Sequence, residues 1–280
     1  MKARADEDPC GEERLLARLR ESPLDYRSAL GVLDPEHLEW RDEGKPEHDL
    51  TFVADVPLLM VWTDGVCHVL AEPDEAAARA VAEFVSRLSL NELCVLGDAA
   101  FRVFRPLIAN GRWRWSREYG VTAEEFRPRT SDCVRRLEPD DRSRLERACQ
   151  RVAVLRKSQS TKRDFDLMAR GFPVVCYGAF AGEELVGFCS SNPIYRGVTE
   201  ISWLAVSARH RRQGLASGLL TAQAQQAFAR GDAAGYYAGS AGDHLHAMLL
   251  KLGFRELLAH YRFIPEGARD QWRADWGKPV

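Results

Sequence analysis

The sequence has none of the long apolar runs that a membrane protein needs. No apolar stretch approaches the ~20 residues of a membrane-spanning helix. The chain begins MKARADEDPCGEERLL, which is charged and has no apolar signal-peptide core. We therefore predict a cytoplasmic protein without a membrane partner.

The sequence also lacks paired cysteines. Its seven cysteines are scattered, with no C-x-x-C pair: Cys10, Cys67, Cys94, Cys133, Cys149, Cys176 and Cys189. An odd, dispersed set is typical of reduced thiols rather than of a disulfide or zinc framework. No metal site is predicted.

A strong charge imbalance is absent as well. The formal net charge is −2, with 45% hydrophobic and 29% charged residues, which is ordinary for a globular protein. Nothing global therefore indicates nucleic acid as a partner. There is no short-period repeat or low-complexity linker, and 280 residues suggest roughly two domains of ~100–200 residues.

The chain divides at the short polar stretch FRPRTSD, Phe126 to Asp132. We predict an N-terminal α/β lobe over residues 1–126 and a second domain over 132–280. In the first lobe, Pro57 to Leu70 carries two apolar runs around Asp64-Gly65, which indicates a hairpin. Asp74 is placed to cap the helix that follows.

The second half alternates strands with helices, which implies an α/β (or α+β) fold with a mixed sheet flanked by helices. Glu200 to Val206 is a predicted strand, and a helix follows the next loop to about Ala229. Asp243 to Leu252 is a predicted helix, and Phe254 to Ile264 a closing strand.

The loop between that strand and helix reads SARHRRQGLASGLL, from Ser207 to Leu220. Backbone N–H groups at a helix start have no intrahelical partner and carry partial positive charge, to which the arginines add full charges. Gly214 and Ala216 leave room for a phosphate to approach the backbone. The pattern predicts a pyrophosphate cradle, although it is neither a Walker A loop nor G-x-G-x-x-G. The alternative is a basic helix cap on a solvated face.

The run TEISWLAVSARHRRQGLASGLL resembles the central motif of the GCN5-related N-acetyltransferase (GNAT) superfamily, a strand followed by R/Q-x-x-G-x-G/A and a helix. Arg211, Gly214 and Ala216 occupy its defining positions. Downstream, AMLLKLGFRELLAHYRF resembles the second landmark of the family, with Lys251, Gly253 and Phe254 in place.

The resemblance implies a GNAT fold in the C-terminal half and acetyl-CoA as the co-substrate. It further implies that the strand end binds the pantetheine arm through its backbone and that the loop holds the pyrophosphate. These cofactor-binding residues are Leu204, Ala205, Val206, Arg209, Arg211, Arg212, Gln213, Gly214, Leu215, Ala216 and Ser217.

Glu200 is the predicted catalytic base, because an amine must lose a proton before it attacks a thioester. In the founding histone acetyltransferases of this superfamily, a glutamate with the same offset from the loop is the general base, and Glu200 resembles that glutamate. Strand alternation would put Glu200, Leu204 and Val206 on one side, so that the carboxylate is partly desolvated. The alternative is a structural glutamate at a strand end.

The family's usual acid, a tyrosine in the second landmark, is missing, because the corresponding position is Leu249. Nearby substitutes are Ser240, His244 and His246, together with Tyr236 or Tyr237 on the preceding strand, and the sequence does not choose among them. A thiolate of pKa ~8.5 can also leave without a dedicated acid.

The N-terminal lobe repeats the order hairpin, helix, strand, helix, strand. Its loop carries Glu72, Asp74 and Glu75 in place of cations. It is therefore interpreted as a degenerate GNAT-like lobe that does not bind CoA, and an unrelated α/β domain is the alternative.

The leading functional hypothesis is an N-acetyltransferase that transfers an acetyl group to a primary amine of a small molecule in a ternary complex. The alternative is an inactive CoA-binding sensor or interaction module. The oligomeric state is undetermined, with a homodimer left open.

Overall fold

The structure, a computed structural model, describes residues 9–23, 26, 29–30, 33, 48–61, 65–153, 155, 159–238, 243–266 and 278–279. They form two compact units. Unit 1 contains Met1–Glu118, Ala238–Gly242 and Glu256–Val280, and unit 2 contains Tyr119–Tyr237 and Asp243–Arg255. Among the described residues, no helix is both long and apolar enough to cross a membrane.

The helices and strands follow one another as the predicted α/β pattern requires. In the first part of the chain they are α1 (Pro9–Glu21), β1 (His48–Val53), β2 (Val56–Val61), β3 (Val66–Val69), α2 (Glu75–Ser86), β4 (Glu92–Leu96), α3 (Asp98–Phe104) and β5 (Gly111–Val121). The second part contains β6 (Val134–Arg136), α4 (Arg142–Arg151), α5 (Gln159–Ala169), β7 (Val175–Ala181), β8 (Glu184–Tyr195), β9 (Val198–Val206), α6 (Leu215–Phe228), β10 (Ala233–Ala238), α7 (Asp243–Lys251), β11 (Arg255–Pro265) and β12 (Lys278–Pro279).

Unit 1 is a mixed sheet with the strand order β1-β2-β3-β4-β11-β5, and β12 also pairs with β5. The predicted hairpin is confirmed as the antiparallel pair β2–β3, although Asp64 of its turn lies outside the described residues. β3 then runs parallel to β4, with α2 as the connection between them. Asp74 caps α2 as predicted, since its carboxylate accepts a hydrogen bond from the Ala77 N–H at 2.8 Å.

The two faces of the unit 1 sheet differ in polarity. Alternate residues such as Cys67, Leu93 and Phe263 pack with α2 and α3 in an apolar core. The residues between them face the other way and include the buried ion pair of Glu92 with Arg262. One face of this sheet is therefore a hydrophobic core and the other a buried polar layer.

Unit 2 is a sheet with the order β10-β9-β8-β7-β6, in which β9 and β10 are parallel and the other pairs antiparallel. Neighbouring residues of β8 show how the helices are arranged. Ser190 bonds to Asp164 of α5, whereas Ser191 bonds to Gln223 of α6. Because successive strand residues point to opposite faces, α6 covers one face and α5 the other.

The last long strand is confirmed, but its place differs from the expectation of a strand closing the second domain. From Glu256 onward β11 belongs to unit 1, where it pairs antiparallel with β4. The physical reason is that Arg262, beside Cys94 in this register, neutralises the buried carboxylate of Glu92. The predicted limits 1–126 and 132–280 describe segments along the chain and stay a prediction.

Gly253 explains the structural part of the second sequence landmark. It ends α7 with φ +91°, and the Phe254 N–H bonds back to the Leu249 carbonyl at 3.0 Å. A Cβ at Gly253 would lie 2.1 Å from the carbonyl oxygen of Glu125. Both the backbone angle and the close contact therefore require glycine.

We expect Gly253→Ala to lower the free energy of unfolding by about 2–5 kcal/mol, because left-handed strain and overpacking add. Gly231→Ala is the matched control, since Gly231 has φ +82° but nothing within 4 Å of a Cβ. It should lose only about 1–2 kcal/mol. Urea unfolding measures both, and equal losses would show that the contact with Glu125 carries no energy.

Candidate functional site

The N-terminus of α6 presents backbone donors that have no acceptor among the described residues. Gly214 precedes the helix with φ +79°, and the first intrahelical bond runs from the Gly218 N–H to the Gly214 carbonyl at 2.9 Å. No side chain caps this end. The N–H groups of Leu215, Ala216 and Ser217 thus remain as donors at the positive end of a helix.

The loop before α6 adds cations and backbone strain. Arg209, Arg211 and Arg212 are exposed, and none has a carboxylate at ion-pair distance among the described residues. Arg212 has φ +64°, a conformation that non-glycine residues rarely adopt outside constrained sites. The Nδ1 atom of His210 is buried and makes no hydrogen bond within the described part of the chain.

Space in front of the helix end is the third feature that suits an anion. A Cβ built on Gly214 would meet no heavy atom within 4 Å. The glycine is therefore needed for its backbone angle, and the space that a side chain would take is open. A phosphate would fit here, because the helix N–H groups point to open space and the nearby guanidinium groups have no carboxylate partner among the described residues.

β9 and β10 separate just before this loop. Among the described residues their parallel ladder ends with the pair Ile201–Tyr236, while β9 continues to Val206. The Ser207 N–H donates to the Val186 carbonyl of β8 at 2.8 Å. Since alternate residues of a strand present their amide groups to the same side, Leu204 and Val206 present theirs to the open side.

This geometry separates the three strand-end residues that were predicted to bind the pantetheine arm. Leu204 and Val206 fit that role, and the Val206 carbonyl accepts a 3.4 Å hydrogen bond from Arg211 Nε. The amide groups of Ala205 point toward β8 by the same alternation. The assignment of these residues as cofactor-binding stays a prediction.

A β-bulge overturns the expectation that Glu200 and Leu204 share a face. Leu204 pairs with Cys189 and Trp203 with Ser190, but Ile201 pairs with Ser191, so that Ser202 is an extra residue in β9. One inserted residue moves the side chain of every preceding strand residue to the opposite face of the sheet. Leu204 consequently lies on the α6 side, whereas Glu200 shares the α5 side with Trp203.

The face that holds Glu200 is polar. Glu200 is half-buried and pairs in register with Asn192, which bonds to the Ser202 hydroxyl. Further along β8, the Ser190 hydroxyl donates to Asp164 at 2.5 Å. Burial raises the pKa of Asp164, against the opposing effects of the Ser190 hydrogen bond and of Arg163. Sequence reasoning missed Asp164, because a single aspartate in a polar helix has no signal of its own.

The second landmark has Leu249 at the position of the family's usual tyrosine, as the sequence showed, and Leu249 is fully buried. Of the alternative acids, Tyr236 is buried in β10, which raises its pKa. His246 lies 2.7 Å from the hydroxyl of the buried Tyr119, a pairing that sequence reasoning missed. His244 is exposed, and Ser240 lies outside the described residues.

Comparison with known proteins agrees with this geometry. The model of the acetyltransferase (GNAT) family matches residues 140–254. The C-terminal half contains a GNAT acetyltransferase domain. The match ends at the Gly253-Phe254 landmark and includes β9, the loop and α6. A search of curated protein sequences finds no match.

Solved structures share the fold at low sequence identity. An acetyltransferase from the GNAT family of Colwellia psychrerythraea has a TM-score of 0.54 and 13% identity, covering 89% of this chain and 96% of the other. A GCN5-related N-acetyltransferase from Kribbella flavida has a TM-score of 0.53 and 15% identity, covering 79% and 90%. A tandem GNAT protein from the clavulanic acid biosynthesis pathway has a TM-score of 0.52 and 15% identity, covering 94% and 96%. At these identities the likeness shows the fold alone.

Gln223 attaches α6 to the sheet beneath it. Its buried side chain donates to the Val175 and Cys189 carbonyls at 3.0 and 2.9 Å and accepts from the Ser191 hydroxyl at 2.6 Å. Three residues of two strands, β7 and β8, are thus linked to one helix side chain, which holds the middle of α6 against the sheet.

We expect Gln223→Leu to lower the free energy of unfolding by about 2–4 kcal/mol, because it leaves several buried polar groups without partners. Gln225→Leu, at an exposed position of the same helix, is the matched control and should change stability by less than about 0.5 kcal/mol. Urea unfolding of both variants provides the measurement. A loss of less than 1 kcal/mol at Gln223 would contradict the anchoring role.

Proposed function

We propose that this protein is an acetyl-CoA-dependent N-acetyltransferase that acts on a primary amine of a small molecule by direct attack in a ternary complex. The observation that carries the proposal is the uncapped N-terminus of α6, with open space in front of Gly214 and a strand end whose amide groups have no β10 partner within the described ranges. The GNAT domain indicates the class of reaction, which is acetyl transfer, and these residues indicate where acetyl-CoA would bind.

Each part of the site has a distinct task. The N–H groups of Leu215 to Ser217, with the guanidinium groups of Arg209, Arg211 and Arg212, would hold the pyrophosphate. The amide groups of Leu204 and Val206 would hold the pantetheine arm. When bound, acetyl-CoA supplies the acetyl group as an activated thioester.

Glu200 is the proposed base. It accepts a proton from the ammonium form of the acceptor, and the freed nitrogen lone pair can then attack the thioester carbonyl. Its position supports this role: it lies one residue before the last rung shared with β10, where the open part of β9 begins. The Asn192 and Ser202 side chains beside it can orient a polar substrate.

The carboxylates on this face support a cationic acceptor. Asp164 and Glu200 both lie on the α5 side, and a buried carboxylate with a raised pKa is stabilised by a neighbouring cation. An amine that reaches Glu200 as an ammonium ion meets that requirement. We propose a cytoplasmic setting with neither nucleic acid nor membrane as a partner, and the homodimer stays open.

Leu249 is the observation that favours the second candidate, an inactive CoA-binding sensor or interaction module. A buried leucine cannot protonate a thiolate, so that the usual acid is lost. Turnover distinguishes the candidates, because both bind the cofactor but only an enzyme releases thiol in the presence of an amine.

We also propose that the N-terminal lobe is a degenerate GNAT-like lobe. Its β3–α2–β4 unit has two parallel strands joined by a helix, as β9–α6–β10 has. The start of α2 is already occupied, since Asp74 accepts the Ala77 N–H, and its negative charge would repel a phosphate. The likeness to a tandem GNAT protein supports the proposal.

We expect calorimetry to give one acetyl-CoA per chain, with binding abolished by Gly214→Glu, whose side chain would fill the open space with negative charge. Gly231→Glu is the matched control, because Gly231 follows the same helix with φ +82° and equally open surroundings. It imposes similar strain and should bind normally. Binding retained in Gly214→Glu, or two sites per chain, would contradict a single acetyl-CoA site at the start of α6.

Glu200→Gln should leave acetyl-CoA affinity nearly unchanged and lower turnover ~10²–10⁴-fold, the usual contribution of a positioned base. Thiol release against a panel of amines measures turnover. The acidic limb of the pH–rate profile should shift or vanish, because that limb reports ionisation of the base.

Glu183→Gln is the control for this experiment, since Glu183 is an exposed residue in the β7–β8 turn. It should keep wild-type turnover. If Glu200→Gln also keeps turnover and an unchanged acidic limb, Glu200 is a structural residue of the strand.

A further inference from the structure

Three side chains that are far apart in the chain meet on the polar face of the unit 1 sheet. His68 lies on β3, Cys94 on β4 and His260 on β11. Cys94 is the register partner of His68 on one side and of Arg262 on the other. One ligand atom from each of His68, Cys94 and His260 lies within 4.8 Å of the other two.

The chemistry of this cluster suits a borderline-soft cation. Two imidazoles and one thiol are the donors that zinc-like divalent ions prefer in proteins, and neither calcium nor magnesium favours them. Cys94 and His260 are buried, and His68 is partly accessible, which leaves a route of entry. Among the described residues, no other group of histidine, cysteine and carboxylate side chains has this donor set.

Buried charges of both signs surround the cluster. Glu92 and Glu118 are 5% exposed, Arg262 pairs with Glu92, and Arg114 of β5 is 8% exposed. These two carboxylates and two guanidinium groups balance one another, so an ion bound by one thiolate would leave a single net positive charge. The donor geometry, and not an excess of negative charge, is what favours a cation here.

We propose that His68, Cys94 and His260 bind one divalent transition-metal ion of the zinc class. The ion forms bonds with one nitrogen of each imidazole and with Cys94 Sγ, and the thiol proton is released to solvent. Solvent provides the fourth ligand. Bonds of about 2.0–2.3 Å require donor atoms about 3.3–3.8 Å apart, so that the side chains close by about an ångström on binding.

Carboxylates lie beside two of the ligands. Glu118 Oε1 lies 3.3 Å from His260 Nδ1 without a hydrogen bond between them, and a small rotation of the ring would let the carboxylate hold Nδ1–H and leave Nε2 for the metal. The Cys94 thiol donates to Glu92 Oε1 at 3.0 Å, a bond that is lost when the thiol proton leaves, and Arg262 would then balance the charge of that carboxylate. The bound ion would link β11 to β3 and β4, which come from the opposite end of the chain.

The test is a cobalt titration of the purified full-length chain after treatment with a chelator. A thiolate ligand gives a charge-transfer band in the near ultraviolet, and tetrahedral cobalt gives intense visible bands. We expect both bands to saturate at one Co²⁺ per chain and to disappear when Zn²⁺ is added. Zn²⁺ should also raise the Tm by mass action on the folded state.

Cys94→Ser should abolish the charge-transfer band, and His68→Gln should weaken cobalt binding at least tenfold. Cys67→Ser is the matched control, because Cys67 is a buried cysteine of the adjacent strand that packs on the opposite, apolar face. It should keep the full spectrum. Circular dichroism of each variant verifies folding, and the partly accessible His68 keeps the test informative if Cys94→Ser does not fold.

A wild-type chain without a charge-transfer band would overturn the proposal, as would a band that persists in Cys94→Ser or is lost in Cys67→Ser. Cobalt binding without thiolate character would equally overturn it, because other histidines would then be the ligands. None of these readouts depends on acetyl transfer.

Discussion

The proposed cofactor site depends on a helix N-terminus whose N–H groups have no acceptor in the part of the chain that the structure describes. The donors of Leu215, Ala216 and Ser217 are left uncapped there, although a serine or aspartate at Gly214 would satisfy one of them. Glycine at that position instead gives the left-handed turn and keeps the approach open. The stabilisation that a cap would provide is thus forgone at a helix end where an anionic ligand could provide it.

The bulge at Ser202 gives the two parts of β9 different orientations in the sheet. After the bulge, Leu204 and Val206 direct their amide groups away from β8; before it, Glu200 faces α5 with Asn192. In a strand without the bulge, Glu200 would lie on the α6 side of the sheet, which is the side that Ile201 faces in this structure. In the proposed function, the inserted residue would let the strand offer backbone groups to the cofactor and a carboxylate to the acceptor.

The elements that depend on local chemistry could be predicted from the sequence. The capping aspartate Asp74, the small residues of the loop and the strand leading into it all follow from short-range rules, and the structure has them. The bulge could not be predicted, because an extra residue in one strand is defined only by the pairing with its neighbour. For the same reason the sequence did not show that β11 pairs with β4, and His68, Cys94 and His260 have no spacing that indicates a shared site. Long-range pairing decided each of these features.

Amide hydrogen exchange with and without acetyl-CoA tests the central claim most directly, because protection reports on which backbone donors gain an acceptor or lose solvent access. The account predicts slower exchange in peptides that cover residues 204–217, and no change in those covering residues 70–78 at the start of α2. Unchanged exchange at 204–217 under saturating acetyl-CoA would contradict it, as would equal protection at both helix starts.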